Sequence, residues 1–372
     1  FDSNGYLDFD EVDDYVELGN PVSLQLGSNF SITSTVKPDS VNWGYFFDKG
    51  YGHNNCLTFG THSTSGGRWF FTTYYNGYNY IYFGTPTVGK WAYLSMTFDG
   101  TNIRVYENGV LMNTDSWTYD MLTNNSSIRI GGSSSNRKWG GGIATTKMYD
   151  KVLSQTEVLQ NYYQAPIVTD GLVLALDAGN LVSYESGSTT TYSMTGSNSG
   201  TLTNGVGFDS NNGGGWAFDG VDDYISIADS EALRLNGNFT ISFFLKAITK
   251  ANSYPGPVYK GNSGSSGTGY IMFYTSITNG PLYYKRGNVQ YALPNAVSTE
   301  WSYITFTYDG SNLKGYVNGE LGLTSAVSFS TNTDATNLQL GRADNYGNQN
   351  IPNFSIYDRA LTAEEVAQNY NA

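Results

Sequence analysis

The chain contains the same sequence pattern twice, in the same order. Residues 9–16 reappear as residues 218–225, and residues 91–100 reappear as residues 301–310. The matching blocks lie about 210 residues apart, a period far longer than the 20–50 residues of a solenoid repeat. The sequence therefore predicts two complete domains in tandem rather than an array of small repeats.

We place copy one at residues 1–164 and copy two at residues 165–372. In copy two a lead-in segment, residues 171–205, precedes the repeated blocks. Copy one has no counterpart of it, since its first residues match residues 208–211. Copy one thus begins partway through its own repeat. Either its upstream part was cleaved or the chain is a portion of a longer polypeptide, and we expect the longer polypeptide.

Composition favours strands and excludes several classes of partner. Tyr (31), Phe (19) and Gly (44) are abundant, and only 14% of the residues are charged. Aromatic residues punctuated by glycine are typical of strands and tight turns. A net charge of −13, without a cluster of Lys and Arg, disfavours nucleic-acid binding and adsorption to anionic membranes. A single cysteine, Cys56, excludes an intramolecular disulfide.

Side-chain alternation predicts an all-β fold. Residues 30–36 and 239–245 alternate apolar and polar side chains, as half-buried strands do. Asn76-Gly77 predicts a two-residue hairpin turn between residues 69–75 and 78–83, and Asn108-Gly109 and Asn318-Gly319 predict two more. Many short strands without a long helical pattern indicate antiparallel β-sandwiches of the jelly-roll type.

Each copy is predicted to close with one short helix. Ser154 and Glu157 fit a capping box in copy one, and Thr362 and Glu365 fit it in copy two. Val158 and Val366 would dock these helices onto the sandwiches. We expect both helices to be structural.

The motifs FDGVDDYI, FTISFFLK, WSYITFTYDG and YDRALTAEEVAQNY resemble those of laminin G-like domains, the concanavalin A-like lectin/glucanase jelly roll. The resemblance extends over nearly all of both copies and implies two tandem jelly rolls. The lead-in, GLVLALDAGNLVSY followed by TLTNGVGFDSNN, is similar to that of such domains in structural proteins of tailed bacteriophages, particularly marine ones. One fold hosts many activities, so function depends on the sites.

Glucanases of this fold imply a catalytic strand with two carboxylates, spaced Glu-x-Asp-x-(x)-Glu. The nearest match runs from Glu11 to Glu17, but its last glutamate is one residue too far along. Copy two has Gly220 and Ser226 in place of the two glutamates. No zinc-ligand spacing, nucleophile elbow or phosphate loop is present either. We therefore predict that the protein is not an enzyme.

Paired aspartates follow the first repeated strand in both copies and could hold a metal. Asp14 and Asp223 share strand parity with apolar residues, so we expect them on the inward face, where a carboxylate needs a partner. The partner could be Lys151 or Arg359, the backbone N–H groups of the turn, or Ca²⁺, which prefers oxygen ligands. The candidate calcium ligands are Asp13, Asp14, Asp222 and Asp223.

The aromatic hairpin at residues 69–83 is the best candidate for ligand binding. Only one of its faces can line the core, so some rings should reach solvent, where Tyr and Trp can stack on sugars. The alternative is that these rings pack between sheets or against a neighbouring subunit. The candidate glycan-binding residues are Trp69, Tyr74, Tyr75, Tyr78, Tyr80, Tyr82, Tyr274, Tyr283 and Tyr284.

Together these features predict a noncatalytic surface protein on the virion of a tailed phage. It would be a capsid decoration, a head fibre or a tail-associated adhesion component, exposed on the particle and binding host-surface glycans. Its expected partners are capsid or tail proteins and further copies of itself, and not nucleic acid or a membrane. The alternative is a carbohydrate-binding or adhesin module of a secreted bacterial protein.

Overall fold

Both copies fold into β-sandwiches of antiparallel strands, which confirms the predicted fold class. The computed structural model describes residues 6–63, 67–133, 137–164, 167–196, 198–250, 252–261 and 268–372. The chain divides into two compact units, residues 1–165 and 166–372. The first residues of copy one, which match residues 208–211, and the predicted boundary residue 165 lie outside the described residues.

Copy one places its strands in two six-stranded sheets. The strands are β1 Leu7–Asp10, β2 Val16–Gly19, β3 Phe30–Pro38, β4 Gly44–Lys49, β5 Cys56–His62, β6 Arg68–Tyr74, β7 Tyr78–Phe83, β8 Ala92–Phe98, β9 Asn102–Glu107, β10 Val110–Ser116, β11 Ile128–Ile130 and β12 Gly140–Tyr149. One sheet has the order β1-β12-β3-β8-β9-β10 and the other β2-β11-β4-β5-β6-β7. Their facing sides enclose a core that includes Phe30, Ile32, Phe47, Phe71 and Met96.

Copy two repeats this arrangement with extra strands. They are β13 Leu172–Asp177, β14 Thr190–Tyr192, β15 Ser199–Thr203, β16 Gly207–Asp209, β17 Gly215–Asp219, β18 Tyr224–Ile227, β19 Phe239–Thr249, β20 Val258–Lys260, β21 Tyr270–Tyr274, β22 Gly280–Arg286, β23 Val289–Val297, β24 Ser302–Tyr308, β25 Asn312–Val317, β26 Glu320–Ala326, β27 Leu338–Leu340, β28 Asn348–Ile351 and β29 Asn353–Tyr357. One sheet has the order β16-β17-β28-β19-β24-β25-β26, extended by β29 and β13, and the other β14-β15-β18-β27-β20-β21-β22-β23.

The two copies share one strand register, which makes their positions directly comparable. Lys37 pairs with Gly142 in copy one, and Lys246 pairs with Asn350 at the matching place in copy two. The lead-in forms β13, β14 and β15. Of these, β13 pairs with β29 and β15 pairs with β18.

The structure confirms two of the predicted hairpin turns and corrects the third. Asn108-Gly109 and Asn318-Gly319 are two-residue turns in which all four residues have positive φ, from 50° to 83°. The Asn76-Gly77 turn is not of this type, because Tyr74 pairs with Tyr78 and leaves three residues in the loop. The Tyr75 N–H donates to the Gly77 carbonyl at 3.1 Å. Tyr75 therefore belongs to the turn and not to the strand.

The two predicted helices are present with their capping boxes. They are α1 Gln155–Tyr163, capped by Ser154, and α2 Ala363–Tyr370, capped by Thr362. Val158 of α1 and Val366 of α2 are fully buried. Single 3₁₀ turns lie at Val22–Leu24, Asn211–Gly213 and Glu231–Arg234.

Candidate functional site

The β6–β7 hairpin separates its aromatic side chains between two faces. Trp69, Phe71, Ile81 and Phe83 point into the sandwich and belong to its core. The other face carries three cross-strand pairs, because successive side chains alternate across a strand. These pairs are Phe70–Tyr82, Thr72–Tyr80 and Tyr74–Tyr78.

Three of the predicted glycan-binding residues lie in the cores and must be withdrawn as candidates. Trp69, Tyr274 and Tyr284 are 0% exposed. The Trp69 indole N–H donates to Glu107 Oε1 at 2.9 Å. Tyr274 and Tyr284 belong to the copy two core. A ring enclosed between two sheets cannot stack on a sugar, so the prediction is wrong for these three residues.

The outer face of copy one carries a continuous row of phenol rings, formed by Tyr51, Tyr78, Tyr80 and Tyr82, which we name the tyrosine strip. Along the strip the ring centroids of Tyr51 and Tyr78 are 5.0 Å apart, those of Tyr78 and Tyr80 5.4 Å, and those of Tyr80 and Tyr82 6.0 Å. Successive rings are within 29° of parallel. Tyr78 is 44% exposed and the other three rings are half-buried. The strip therefore presents aromatic carbon and phenol oxygen to solvent.

Tyr51 reaches the strip from the loop after β4, where a buried carboxylate holds it. Its backbone N–H donates to Asp48 Oδ1 at 3.2 Å, and the Thr58 hydroxyl donates to the same oxygen at 2.6 Å. The hydroxyls of Tyr51 and Tyr80 form a hydrogen bond of 2.7 Å. The strip is thus preorganised by contacts between β4, β5 and β7.

Burial raises the pKa values of three phenols of the strip. It is the largest cause that raises the pKa of Tyr78 to about 12, and the neighbouring Tyr51 raises it further. The pKa values of Tyr80 and Tyr82 are raised for the same reasons. A protonated phenol can both donate and accept a hydrogen bond, as recognition of a polyhydroxylated ligand requires.

Sequence reasoning missed the residues that extend the strip beyond Tyr82. The imidazole of His62 is perpendicular to the Tyr82 ring at 5.5 Å and lies 4.0 Å from the centroid of Trp43. The Arg137 guanidinium lies over the Trp43 ring at 4.2 Å. These residues come from other strands and loops. The period-two pattern of the hairpin gave no signal for them.

Tyr75 and Tyr74 occupy other positions than the strip. Tyr75, in the turn, stacks face to face on Tyr119 with centroids 4.0 Å apart, and the two rings are 38% and 45% exposed. Tyr74 is half-buried and packs edge-on against Tyr78 at 4.8 Å. The candidates from copy one therefore have four locations. Trp69 lies in the core, three tyrosines form the strip, Tyr74 packs beside the strip, and Tyr75 stacks on Tyr119 at the hairpin tip.

Copy two has a smaller aromatic cluster on the matching face. Tyr283 is the one predicted candidate of copy two that lies there, stacked on Phe273 at 4.9 Å. The Arg342 guanidinium covers Tyr259 at 4.6 Å. In β22 the residues on either side of Tyr283 on this face are Pro281 and Lys285. The strand that matches β7 is β23, which carries Gln290 and Ala292 on this face, so the row of tyrosines is not repeated in copy two.

The paired aspartates form acidic turns in both copies. Asp10, Asp13 and Asp14 bring carboxylate oxygens within 4.8 Å of one another, and so do Asp219, Asp222 and Asp223. In copy two Asp223 Oδ2 accepts from the Asp219 N–H at 3.0 Å. In copy one Asp14 Oδ2 accepts from the Asp10 N–H at 3.3 Å. Backbone N–H groups of the turn are thus the partners, one of the alternatives left open by the sequence.

The alternative partners that the sequence left open for these aspartates, Lys151 and Arg359, bind other carboxylates. Lys151 binds Glu157 at 2.6 Å, and Arg359 binds Glu365 and Asp170 at 2.6 and 2.8 Å. Both cations hold the closing helices instead.

Burial differs between the two acidic turns. Asp223 faces inward as predicted and is 3% exposed, whereas Asp14 is exposed and the prediction is wrong for it. The pKa of Asp223 is raised, mainly by burial and also by Asp219 and Asp222. Calcium binding by Asp13, Asp14, Asp222 and Asp223 stays a prediction.

The glutamates compared with a glucanase strand have other partners. Glu11 accepts from Ser40 and Asn42 at 3.1 and 2.9 Å, and Glu17 pairs with Arg129 at 2.9 Å.

No helix of the described residues has the length and apolarity to cross a membrane.

Comparison with known proteins identifies both halves of the chain. The family model described as the concanavalin A-like lectin/glucanases superfamily matches residues 10–159 and 219–367. No protein with a curated description matches the chain.

Solved structures offer distant similarity. Domain 4 of the extracellular arabinanase AbnA from Geobacillus stearothermophilus, in complex with arabinotriose, is 16% identical with a TM-score of 0.41, over 54% of this chain and 98% of that one. The botulinum neurotoxin serotype D binding domain is 15% identical with a TM-score of 0.38, over 54% and 52%. Trypanosoma rangeli sialidase in complex with sialic acid is 10% identical with a TM-score of 0.43, over 87% and 61%.

Proposed function

Because the chain belongs to the concanavalin A-like lectin/glucanase superfamily, we propose that it is a noncatalytic carbohydrate-binding protein whose binding face is the tyrosine strip of copy one. The observation that carries the proposal is the unbroken row from Tyr51 to Tyr82 on an outer sheet face. Monomeric proteins seldom expose aromatic rings in a row without a ligand or a partner to cover them.

The chemistry of the strip favours a neutral glycan. Aromatic rings pack against the C–H surfaces of sugars, and phenol hydroxyls bond to sugar hydroxyls. The strip presents phenol hydroxyls and no ionic side chain, so binding should depend little on salt. A single site of roughly millimolar Kd provides about −4 kcal/mol, and several tethered copies raise avidity by roughly 10²–10⁴.

Glycan-array binding of the full chain, followed by titration of the best ligand, tests this proposal. Tyr78→Ala should weaken binding about tenfold or more, since Tyr78 is the most exposed ring of the strip. Tyr283→Ala, on the matching face of copy two, is the control and should leave affinity unchanged. Equal affinity of the wild type and Tyr78→Ala would refute the strip as the binding face.

A noncatalytic role is supported by the partners of the two glutamates that a glucanase would require. Glu11 and Glu17 are each engaged by different residues, and copy two has Gly220 and Ser226 in their place. Release of reducing sugar from the glycan that binds best would overturn this part of the proposal.

We further propose that the protein is displayed on the virion surface of a tailed phage, with capsid or tail proteins and its own copies as partners. The support is the similarity of the lead-in, residues 171–205, to that of phage structural proteins. Mass spectrometry of particles from the natural source should detect this chain beside capsid or tail proteins. Detection among secreted bacterial proteins, without such companions, would favour the adhesin alternative.

A further inference from the structure

The dipeptide Asn-Gly lies at three hairpin tips of the chain, and its surroundings differ among them. At this dipeptide a backbone nitrogen can attack the neighbouring side chain, because glycine has no Cβ to shield that nitrogen. The rate of attack depends on how freely the asparagine carboxamide can turn toward the nitrogen. The three tips therefore present the same reactive groups under different restraints.

At two of the tips a hydrogen bond fixes the carboxamide. Asn108 Oδ1 accepts from the Tyr93 N–H at 2.8 Å, and Asn318 Oδ1 accepts from the Tyr303 N–H at 2.8 Å. Each bond ties the tip to a neighbouring strand, β8 in copy one and β24 in copy two. Either carboxamide would have to leave its partner before its Cγ could approach the next nitrogen, and that step costs free energy.

At the third tip, in the turn between β6 and β7, the carboxamide is free. Asn76 and Gly77 are both exposed. Within the described chain the Asn76 side chain makes no hydrogen bond, while its backbone N–H reaches Asn54 Oδ1 at 3.4 Å. A Cβ on Gly77 would meet no atom within 4 Å. The Asn76 carboxamide can therefore turn toward the Gly77 nitrogen without displacing another group.

The remaining Asn-Gly pairs of the described chain are more restrained than this one. They lie in copy two, at Asn204, Asn212, Asn236 and Asn279. The carboxamides of Asn204 and Asn236 donate to backbone carbonyls at 3.0 and 3.1 Å. The other two make no hydrogen bond with the described residues, but their glycines are packed. Gly280 is buried, and the Gly213 carbonyl lies where a Cβ on Gly179 would stand.

We propose that Asn76 is a site of spontaneous deamidation, which places a carboxylate at the tip of the aromatic hairpin. The Gly77 nitrogen loses its proton and bonds to Asn76 Cγ. The bond from Cγ to Nδ2 breaks, so that ammonia leaves and a succinimide ring remains. Water then opens the ring at either of its carbonyls, giving aspartate or isoaspartate. The net reaction consumes water and releases ammonia, and it needs no other reactant.

The reaction changes both the charge and the backbone of the turn. Either product adds a negative charge, and isoaspartate also adds its Cβ to the main chain. Tyr75, the preceding residue, stacks on Tyr119 with centroids 4.0 Å apart. A longer turn should loosen this stack. The inference concerns the chemistry of the turn and is independent of glycan binding.

Peptide mapping of the full chain by mass spectrometry tests the proposal. The chain is kept in mildly alkaline buffer, sampled over time and digested in heavy-oxygen water, which labels any deamidation that occurs during digestion. Asn76 should deamidate about fivefold faster than Asn108 or Asn318, the ratio that a hydrogen bond worth about 1 kcal/mol provides. In denaturant the three rates should converge, because the fold no longer holds two of the carboxamides.

Gly77→Ala is the matched control. The added methyl group has room in the folded turn, but it shields the nitrogen that attacks. The variant should slow deamidation at Asn76 and leave the rates at Asn108 and Asn318 unchanged. Unchanged circular dichroism would show that it still folds. Asn76→Asp provides the aspartate product as a chromatographic reference, against which isoaspartate is identified.

Equal rates at the three tips of the folded chain would overturn the proposal. A difference among the tips that persists in denaturant would overturn it as well, since the local sequence and not the fold would then set the rates. Deamidation at Asn76 that Gly77→Ala does not slow would contradict attack by the Gly77 nitrogen. Faster reaction at Asn212 or Asn279 would refute Asn76 as the most reactive pair.

Discussion

Copy one and copy two each have a core of the same design and the same strand register. They differ at their edges and on their outer faces. Copy two buries Ile225 and Ile227 beneath its lead-in, and copy one exposes Val16 and Leu18 at the same positions. Copy one in turn carries the tyrosine strip on β7, where the matching strand of copy two, β23, has Gln290 and Ala292. Packing between the sheets constrains the inward side chains tightly. The outward ones are free to diverge, so function is to be sought there.

A buried lysine in each copy shows that the two copies also differ inside the fold. Lys49 and Lys260 end matching strands and are both 0% exposed. The Lys260 ammonium binds Asp229 at 2.6 Å, and Arg234 binds the same carboxylate. The Lys49 ammonium donates to the neutral Asn20 Oδ1 at 2.5 Å and to the Ser126 carbonyl at 2.9 Å. Burial accordingly lowers the pKa of Lys49.

The largest predicted difference between the copies comes from this pair. Asp229→Ala should lower the free energy of unfolding of copy two by about 3–5 kcal/mol, because it leaves the buried Lys260 charge without its carboxylate. Asn20→Ala, at the matching position of copy one, removes a neutral partner and should cost about 1–2 kcal/mol. Denaturation monitored by hydrogen exchange would assign each loss of unfolding free energy to one copy. Equal losses would mean that the carboxylate adds nothing over the amide.

The lead-in provides the second prediction. Leu174→Ala should destabilise copy two by about 3 kcal/mol, since it opens a cavity in a closed core. Leu18→Ala, at an exposed position of β2 in copy one, should cost less than about 1 kcal/mol. Calorimetry of the two variants checks both values. A loss from Leu18→Ala as large as that from Leu174→Ala would show that Leu18 is buried in solution.

The smallest expected effect is the pH dependence that Asp48 gives to copy one. Burial raises the pKa of Asp48 above its usual 3.8, against the opposing hydrogen bonds from Thr58 and Tyr51. A raised carboxyl pKa contributes stability that is fully present below the unfolded pKa and is lost as pH rises through the folded pKa. Copy two has Tyr259 at this sheet position.

Asp48→Asn should therefore remove this loss and leave copy one at least as stable as the wild type at neutral pH. Melting temperatures between about pH 3.5 and 7 would reveal it as a flatter profile. Profiles of wild type and variant that run parallel over this range would contradict the prediction.

Sequence reasoning succeeded wherever the signal was local. The duplication, the strands, the Asn108-Gly109 and Asn318-Gly319 turns and both capping boxes follow from residues that are near neighbours in the chain. The side-chain period of two in a strand also suffices to place Tyr78, Tyr80 and Tyr82 on one face.

It failed where the outcome depended on distant segments. The side-chain period separates Trp69 from Phe70 on opposite faces of β6, but it does not say which of the two faces meets the other sheet. Tyr51, Trp43 and His62 reach the site from β4, β5 and their loops, and no pattern within the hairpin indicates them. Tyr274 and Tyr284 were misplaced for the same reason as Trp69.

The acidic turns show where the boundary lies. The sequence alone determined that both copies have an acidic turn after the first repeated strand, and it offered the backbone N–H groups of that turn as one possible partner of Asp14 and Asp223. The structure selects this partner, four residues away in the chain. Only the tertiary structure decided that Asp223 is buried and Asp14 exposed. The lead-in contacts the turn of copy two, where the Asn204 amide donates to the Asp222 carbonyl at 3.0 Å. Local geometry follows from bonded neighbours, whereas burial depends on which remote strand packs alongside.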